Sequence, residues 1–486
     1  MAARSRTLLL AVLLLAGGCH DATPAPPPPL DRFYFPTSIA LRHPGGCTPT
    51  PGTPGCTQLL VASSNFDLRY DPANGGTVIA VDVESALKAS PAGTLTGAIL
   101  GAARVGSFTG ELAVLDETTC IGWDAAHERT PQVLVTSRSQ IALYRLDLDA
   151  GGALGALGCG DGCKVPLEPT LADPYGITLA CGTFPAAPPN DGKTATAQQL
   201  AFVSYLRAPL GVGWLSRLDL APGGPARTQI PVGADPIATA AFDPGSGLLF
   251  ATARFGTVGN APFRAYALAT PEVQPISVNL FDAIRGAELT GLALSSDAQR
   301  AYVTLRIYDA DLAVSLGARP AADLAAALTV IDLPAFLSGA PAARTVLRVV
   351  PVDRGASEVR VLDRRTDAER AARAPARDLV AVASPDEGSV TLYDDEKGSI
   401  AQVIGACGSN SAVAYPQPCL AGDPALGKQP FSLAFESLDA THARLFVASF
   451  DRSWIDVLTL DPTHPSVSPT AAGDKPTWQR IGQERP

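Results

Sequence analysis

The chain has 486 residues, of which 46% are hydrophobic and only 17% charged, with 45 Gly and 43 Pro. Apolar material is ample and is cut often by turn formers, which fits many short strands rather than long helices. A net charge of −10 and a pI near 5.1 exclude a dedicated nucleic-acid binder, which needs a basic surface to displace phosphate counterions.

At the start, Arg4 and Arg6 precede an apolar run over residues 7–16 (TLLLAVLLLA), then Gly17, Gly18 and Cys19. A basic start, a short apolar stretch and small residues make a secretory signal. The run is too short to span a bilayer, which takes about 20 residues. A Cys directly after the small residues supplies a thiol for lipidation. The stretch resembles the bacterial lipobox, with Ala16 where Leu is commoner. That resemblance implies a signal peptide over residues 1–18 and at least two acyl chains (palmitate among them) on Cys19, enough for stable anchoring. The alternative is ordinary signal cleavage with Cys19 incidental. Residues 20–31 (HDATPAPPPPLD) favour a tether: Pro-rich and extended, twelve residues at ~3.1 Å each reach roughly 35 Å. Residues 19–32 therefore form a lipidated Cys and leash. Residue 20 is His rather than Asp. Where an Asp-at-second-position retention rule operates, this sends the protein to the outer membrane, facing the periplasm or the cell surface.

Residues 33–482 repeat, leaving 483–486 as a tail. Six alternating apolar segments end in Asp, at Asp82, Asp147, Asp219, Asp332, Asp394 and Asp461; a seventh, FRAYA, ends at Ala267. Their spacing is 48 to 72 residues, about 63 on average, too long for one hairpin and right for four strands with loops. Upstream of each lies a second apolar strand, as in QLLVAS at 58–63, and before that a third, as in PTSIAL at 36–41. A fourth follows several of the Asp positions, as in RTQIPVG. One such sheet buries little alone. Seven arranged radially bury both faces against neighbours and leave short edges. The expected fold is all-β: a seven-bladed β-propeller of four-stranded antiparallel blades, whose last outer strand is 478–482, helped in closing the ring by Phe33–Phe35. The segment LTGLALSSDAQRAYVT, with Tyr302-Val303-Thr304 and the later LTVIDL, resembles the YVTN-type propeller repeat, although Leu305 replaces its Asn. Relatives of that repeat include lactonases and the large subunits of quinone-linked amine dehydrogenases. No residues here carry either activity across.

Nine Cys less Cys19 leave eight, an even number that in an oxidising compartment implies disulfides. The spacing pairs Cys47 with Cys56, Cys159 with Cys163, and Cys407 with Cys419, leaving Cys120 and Cys181 to pair at long range. No C-x-x-C pair exists and His is scarce, so no zinc or covalent haem is expected, nor any other cofactor or metal. The repeat Asp residues read as turn and helix caps; Asp82 and Asp332 each precede a helix-like stretch. Asp309 and Asp311 in the blade-five loop are too few for a calcium site.

Three second strands end in Thr-x-Arg, placing Arg138, Arg254 and Arg306 in equal register; Arg207 follows one place later in blade three, and Arg452 lies nearby in blade seven. Around one axial mouth they read either as an anion-recognition ring or as strand-end arginines paired with loop acids. Residues 363–377 are charge-dense and helical in pattern, placed on the opposite face, where they are a solvated loop helix or a dock for an acidic partner or phospholipid head groups. No G-x-S-x-G, H-E-x-x-H or P-loop occurs. The expectation is a lipid-tethered binding or scaffold module for a protein partner or small anionic ligand, not an enzyme. A propeller enzyme and a purely structural envelope protein are the alternatives.

Overall fold

The computed structural model describes residues 25–89, 95–116, 131–149, 151, 153–154, 163–184, 196–207, 212–220, 227–233, 237–253, 262–268, 275–280, 287–307, 326–405, 426, 429–463 and 478–482. Its strands form seven antiparallel sheets of four, each in simple sequence order. The first strands of the blades are Pro36–Arg42, Thr109–Leu115, Pro174–Phe184, Ile237–Asp243, Ala287–Leu294, Glu358–Asp363 and Pro430–Ser437. They touch one another in a closed ring, blade seven returning to blade one. The chain is thus the expected seven-bladed propeller, with the first strands lining the axis.

The near-continuous apolar runs follow from this packing. In a strand, successive side chains point to opposite faces, and here both faces are covered. In blade one, Leu59, Val61, Ile79 and Val81 pack with blade seven, while Leu60, Ala62, Val78 and Ala80 pack with blade two. The core of the described residues accordingly divides into seven clusters, one at each interface between neighbours. The second strands Gln58–Ser63 and Asp378–Ser384 are buried along their whole length. The outer strand Val346–Val352 is only partly covered, with a single buried residue.

The starts of the first strands share a device. Phe35, Phe108, Asp173 and Gln429 each precede a first strand and have positive φ, between 44° and 76°. A register shift follows at Pro36/Ser38, Thr109/Leu112 and Pro430/Ser432. Such a bulge bends the strand and re-aims a side chain. Here it turns the third residue toward the next blade's first strand, which builds the axial site described below.

Among the described strands, ring closure uses no exchanged strand. Blade one is N-terminal throughout, and the outer strand of blade seven is Trp478–Gly482, paired to Trp454–Leu460. Side chains must therefore hold the seam. Phe33 is buried beside Phe446, Ile455 and Ile481. The Phe35 amide donates to Ser453 Oγ at 3.3 Å, and the Ile39 amide to Ser432 Oγ at 3.2 Å. A buried charged network completes it. Arg444 lies 2.5 Å from Glu84 and 3.3 Å from Glu436, with all three side chains at most 7% exposed. Thr57 donates its hydroxyl to Glu436, and His43 Nε2 lies 3.1 Å from the same carboxylate.

Asp82 and Asp332 do cap helices. Asp82 Oδ1 accepts from the Ser85 amide at 2.8 Å ahead of helix Val83–Lys88, and Asp332 Oδ1 from the Ala335 amide at 2.9 Å ahead of helix Leu333–Leu337. Cys47 and Cys56 form the expected disulfide. Cys163 and Cys181 are each in a disulfide as well, with the pairing outside the described residues. Cys19, Cys120, Cys159, Cys407 and Cys419 lie outside the described residues. The Cys47–Cys56 loop rests on the first helix: the Gly52 amide donates to Glu84 at 2.6 Å and Lys88 Nζ donates to Gly52 O at 2.7 Å. The double variant Cys47→Ser/Cys56→Ser is expected to cost at most roughly 2–3 kcal/mol, the chain-entropy value for so short a loop. The urea midpoint of unlabelled protein measures it.

Candidate functional site

All seven first strands converge on a small axial cavity of about 40 Å³. That is room for about three water molecules. Its polar lining includes Thr37, Ser38, Glu111, Glu358, Arg360 and Ser432. In blades one, two and seven the third-residue device explains why. The Ser38 hydroxyl accepts the Leu112 amide at 3.0 Å, Ser432 accepts the Ile39 amide at 3.2 Å, and the Glu111 carboxylate accepts the Ile177 amide at 3.0 Å. The Leu433 amide donates to Glu358 in the same way. Blades one, two, six and seven thus hand a side-chain acceptor to the next blade's first strand. Blades one and seven use Ser; blades two and six use Glu.

A carboxylate at this position does more than a hydroxyl. Glu358 is 2.6 Å from Arg360, whose Nε donates to Leu433 O at 3.2 Å. Burial pushes the Glu358 carboxyl above its ordinary value. Burial acts most strongly on Glu111 and lifts it to about 7; Arg360 draws it down, Glu358 pushes it up, and the Ile177 amide draws it down. The cavity therefore holds an ion-paired carboxylate and a second carboxyl balanced between its two protonation states near neutrality.

The Thr-x-Arg motifs lie at the same end of the disc and act between blades. Thr136 Oγ1 donates to Tyr175 O at 2.7 Å, and Thr290 Oγ1, which contacts Thr304 Oγ1 at 2.8 Å, donates to Ala356 O at 2.7 Å. Arg138 donates twice to Asp173 at 3.1 Å, and Arg207 lies 2.6 Å from the other oxygen of the same carboxylate. Arg306 Nε and Nη2 donate to the carbonyls of Ala356 and Gly355 at 2.9 and 2.6 Å. Arg138 and Arg306 thus each clasp the start of the next blade, and the forks are occupied by the protein itself. Arg254 lies outside the described residues.

Neither a protein-family model nor a curated protein sequence matches the chain. Its likeness is to solved propellers. They include the Dos1 propeller (9% identity, covering 94% of this chain and 86% of that one, TM-score 0.46). The periplasmic gluconolactonase of Pseudomonas aeruginosa is similar at 13% identity, over 76% and 84% of the two chains, with a TM-score of 0.44. Kuenenia stuttgartiensis hydrazine synthase shares 12% over 68% and 73%, with a TM-score of 0.38. Likeness at these levels carries nothing beyond the fold, which the strand pairing establishes independently.

On the opposite face, a cavity of about 350 Å³ is lined by Arg364, Arg365, Arg370 and Asp439 among others. The charge-dense segment forms only a five-residue helix, Asp367–Ala371, with a Thr366–Glu369 capping box. Four of its five arginines are matched locally: Arg364 forks onto Asp394, Arg365 onto Asp363, Arg370 meets Asp367 and Asp363, and Arg377 reaches Glu369 and Glu396. Among the described residues, no group of three or more His, Cys, Asp or Glu is placed to hold a metal ion. Residues 308–325, which contain Asp309 and Asp311, lie outside the description.

The sequence reading missed Glu111, Glu358 and Arg360. The signal was present. Aligned on their first strands, the blades carry Ser38, Gly176, Gly291 and Ser432 where blades two and six carry Glu. A Glu at a position otherwise restricted to small residues marks an axial polar group.

Proposed function

We propose that the protein is an exported, lipid-tethered propeller of the cell envelope that serves as a binding or scaffold module for a protein partner. The observation that carries binding over catalysis is the axial mouth. At about 40 Å³ it is far below the roughly 300–1,000 Å³ of small-molecule sites. A small anion at the arginines would have to displace Asp173 from Arg138 and Arg207, which favours a protein surface as the ligand. The tether rests on Cys19, and the YVTN-type reading on the blade-five segment around Tyr302. Cys19→Ser is expected to abolish incorporation of labelled palmitate. Retained label would overturn the anchor. Site-specific crosslinking in the native membrane, followed by reciprocal capture, tests the scaffold role; recovery of the bait alone overturns it.

A second reading, a propeller hydrolase, is favoured by one observation. A carboxyl titrating near 7 beside an Arg-paired carboxylate has the acidity that general acid–base catalysis needs. In that reading Glu111 is the acid–base group, Glu358 and Arg360 orient the substrate, and Glu111→Gln loses turnover.

A further inference from the structure

Four large hydrophobic side chains are exposed among the described residues, and two of them share one loop: Phe66 at 56% and Leu68 at 51%. The others, Ile276 and Leu347, lie apart on outer strands of blades four and five. The loop joins the second and third strands of blade one, at the axial-mouth end of the disc. It is braced rather than loose. Asn65 donates to Tyr70 O at 2.9 Å and accepts the Tyr70 amide at 3.1 Å. Phe66 packs on Phe35, Phe108 and Phe450, at ring separations of 6.0, 6.2 and 5.4 Å. Phe450 continues the cluster to Phe431 at 5.4 Å. Residues of blades one, two and seven thus build a rigid aromatic platform whose outermost members, Phe66 and Leu68, face solvent. Leu68 is held at φ 54°, a conformation a branched side chain seldom adopts.

The N-terminal segment runs onto this same loop. Pro26 O accepts the Asp71 amide at 3.2 Å, and the Tyr34 ring meets Tyr70 at 5.1 Å. Leu30 packs into the seam between blades seven and one. The part of the expected tether that is described, residues 25–32, is therefore laid on the disc. Between Cys19 and Pro26 the chain reaches roughly 22 Å at ~3.1 Å per residue. A seven-residue strand such as Pro36–Arg42 already rises ~23 Å through the disc, before its loops are added. A lipid on Cys19 is too closely leashed to reach round to the far face.

We propose that the Phe66–Leu68 loop docks into the lipid bilayer, so that the disc lies with its axial mouth toward the membrane and its opposite face toward the periplasm or medium. The orientation rests on the lipid-tether reading; the capacity of the loop to enter a bilayer does not. Apolar groups on such a loop bury to a depth of ~5–10 Å at the boundary between head groups and acyl chains. The acyl chains supply retention, and they hold the loop at a high effective concentration beside the surface. The loop supplies orientation. Asp67 and Arg69 lie 3.5 Å apart and neutralise each other, so the insertion is apolar and little affected by salt.

The test uses the full chain carrying Cys19→Ser, mixed with vesicles of phosphatidylethanolamine and phosphatidylglycerol. Sedimentation is expected to recover the protein with the vesicles at both 0.1 and 0.5 M salt (roughly, the range over which charge contacts are screened). Phe66→Ser/Leu68→Ser is expected to lower the bound fraction about tenfold or more with an unchanged melting temperature. In the lipidated protein, the extra indole of Phe66→Trp is expected to be quenched by brominated lipid, and that of Ala440→Trp on the opposite face is not. Equal quenching of both, or vesicle binding that the double serine variant leaves intact, overturns the docking. Absence of vesicle binding by the Cys19→Ser chain also overturns it and assigns the patch to a protein partner. Failure of palmitate labelling sinks the tether alone, since the Cys19→Ser vesicle assay does not depend on it.

Discussion

Arg444→Met is expected to lower folding stability by about 3–5 kcal/mol, the cost of removing one partner from a buried ionic cluster. Arg444 sits on the second strand of blade seven, between Glu84 on the blade-one helix and Glu436 on the first strand of blade seven. Methionine fills the volume but leaves two carboxylates without their common cation. Glu436 retains the Thr57 hydroxyl and His43, and Glu84 retains the Gly52 amide. Those donors hold geometry but do not replace the charge. Among the described strands, none is donated across the seam to fall back on. The loss should therefore open blades one and seven together, with faster amide exchange in Gln58–Ser63 and Ala443–Ser449 than in the central strands of blade four. Guanidinium unfolding measures the total. The triple variant Glu84→Gln/Glu436→Gln/Arg444→Met is expected to regain most of it, because no uncompensated charge then remains buried. An unchanged midpoint for Arg444→Met would mean that the apolar cluster around Phe33 closes the ring alone.

The fold was legible because the propeller writes itself into periodicity. Middle strands buried on both faces read as short apolar runs, and turn formers separate them at a regular interval. Asp82 and Asp332 were legible as caps because a cap acts over three residues. What acts across blades was not. Arg138 meets Asp173 across 35 positions and Arg306 meets Gly355 across 49. Nothing local in Thr-x-Arg distinguishes a clasp on the next blade from an open anion site. The axial carboxyls were harder still. Glu111 and Glu358 share an aligned position in two first strands far apart in the chain, and become one site only when the ring closes. The Pro-rich segment shows the converse. Its composition specifies an extended chain but not what that chain lies on, and from Pro26 onward it lies on blade one.

Glu111→Gln is expected to flatten the dependence of stability on pH between about 4.5 and 7. The carboxyl titrates near 4.5 in an unfolded chain and near 7 in the folded one. Between those values the folded state holds a proton that the unfolded state lacks. Stability therefore falls as pH rises through this window, and the full penalty is present above it. Its size is at most about 3.5 kcal/mol, and less to the extent that the axial cavity solvates the charge. Glutamine keeps an oxygen to accept the Ile177 amide and carries no charge to desolvate. The variant should therefore be more stable than the parent at pH 8, by up to about 2–3 kcal/mol on the same basis, and equal to it near pH 4.5. Urea unfolding at several pH values measures both. A parent slope that survives Glu111→Gln would remove this residue as the titrating group. Glu358→Gln makes the complementary case. Its carboxylate is paired with Arg360 and accepts the Leu433 amide. Neutralising it strips Arg360 of its partner, while lifting from Glu111 a negative neighbour that pushes its titration upward. The Glu111 midpoint should therefore fall below 7 in that variant. A shift of this sign, read by the pH profile, would show the two carboxyls acting on one another across the axis.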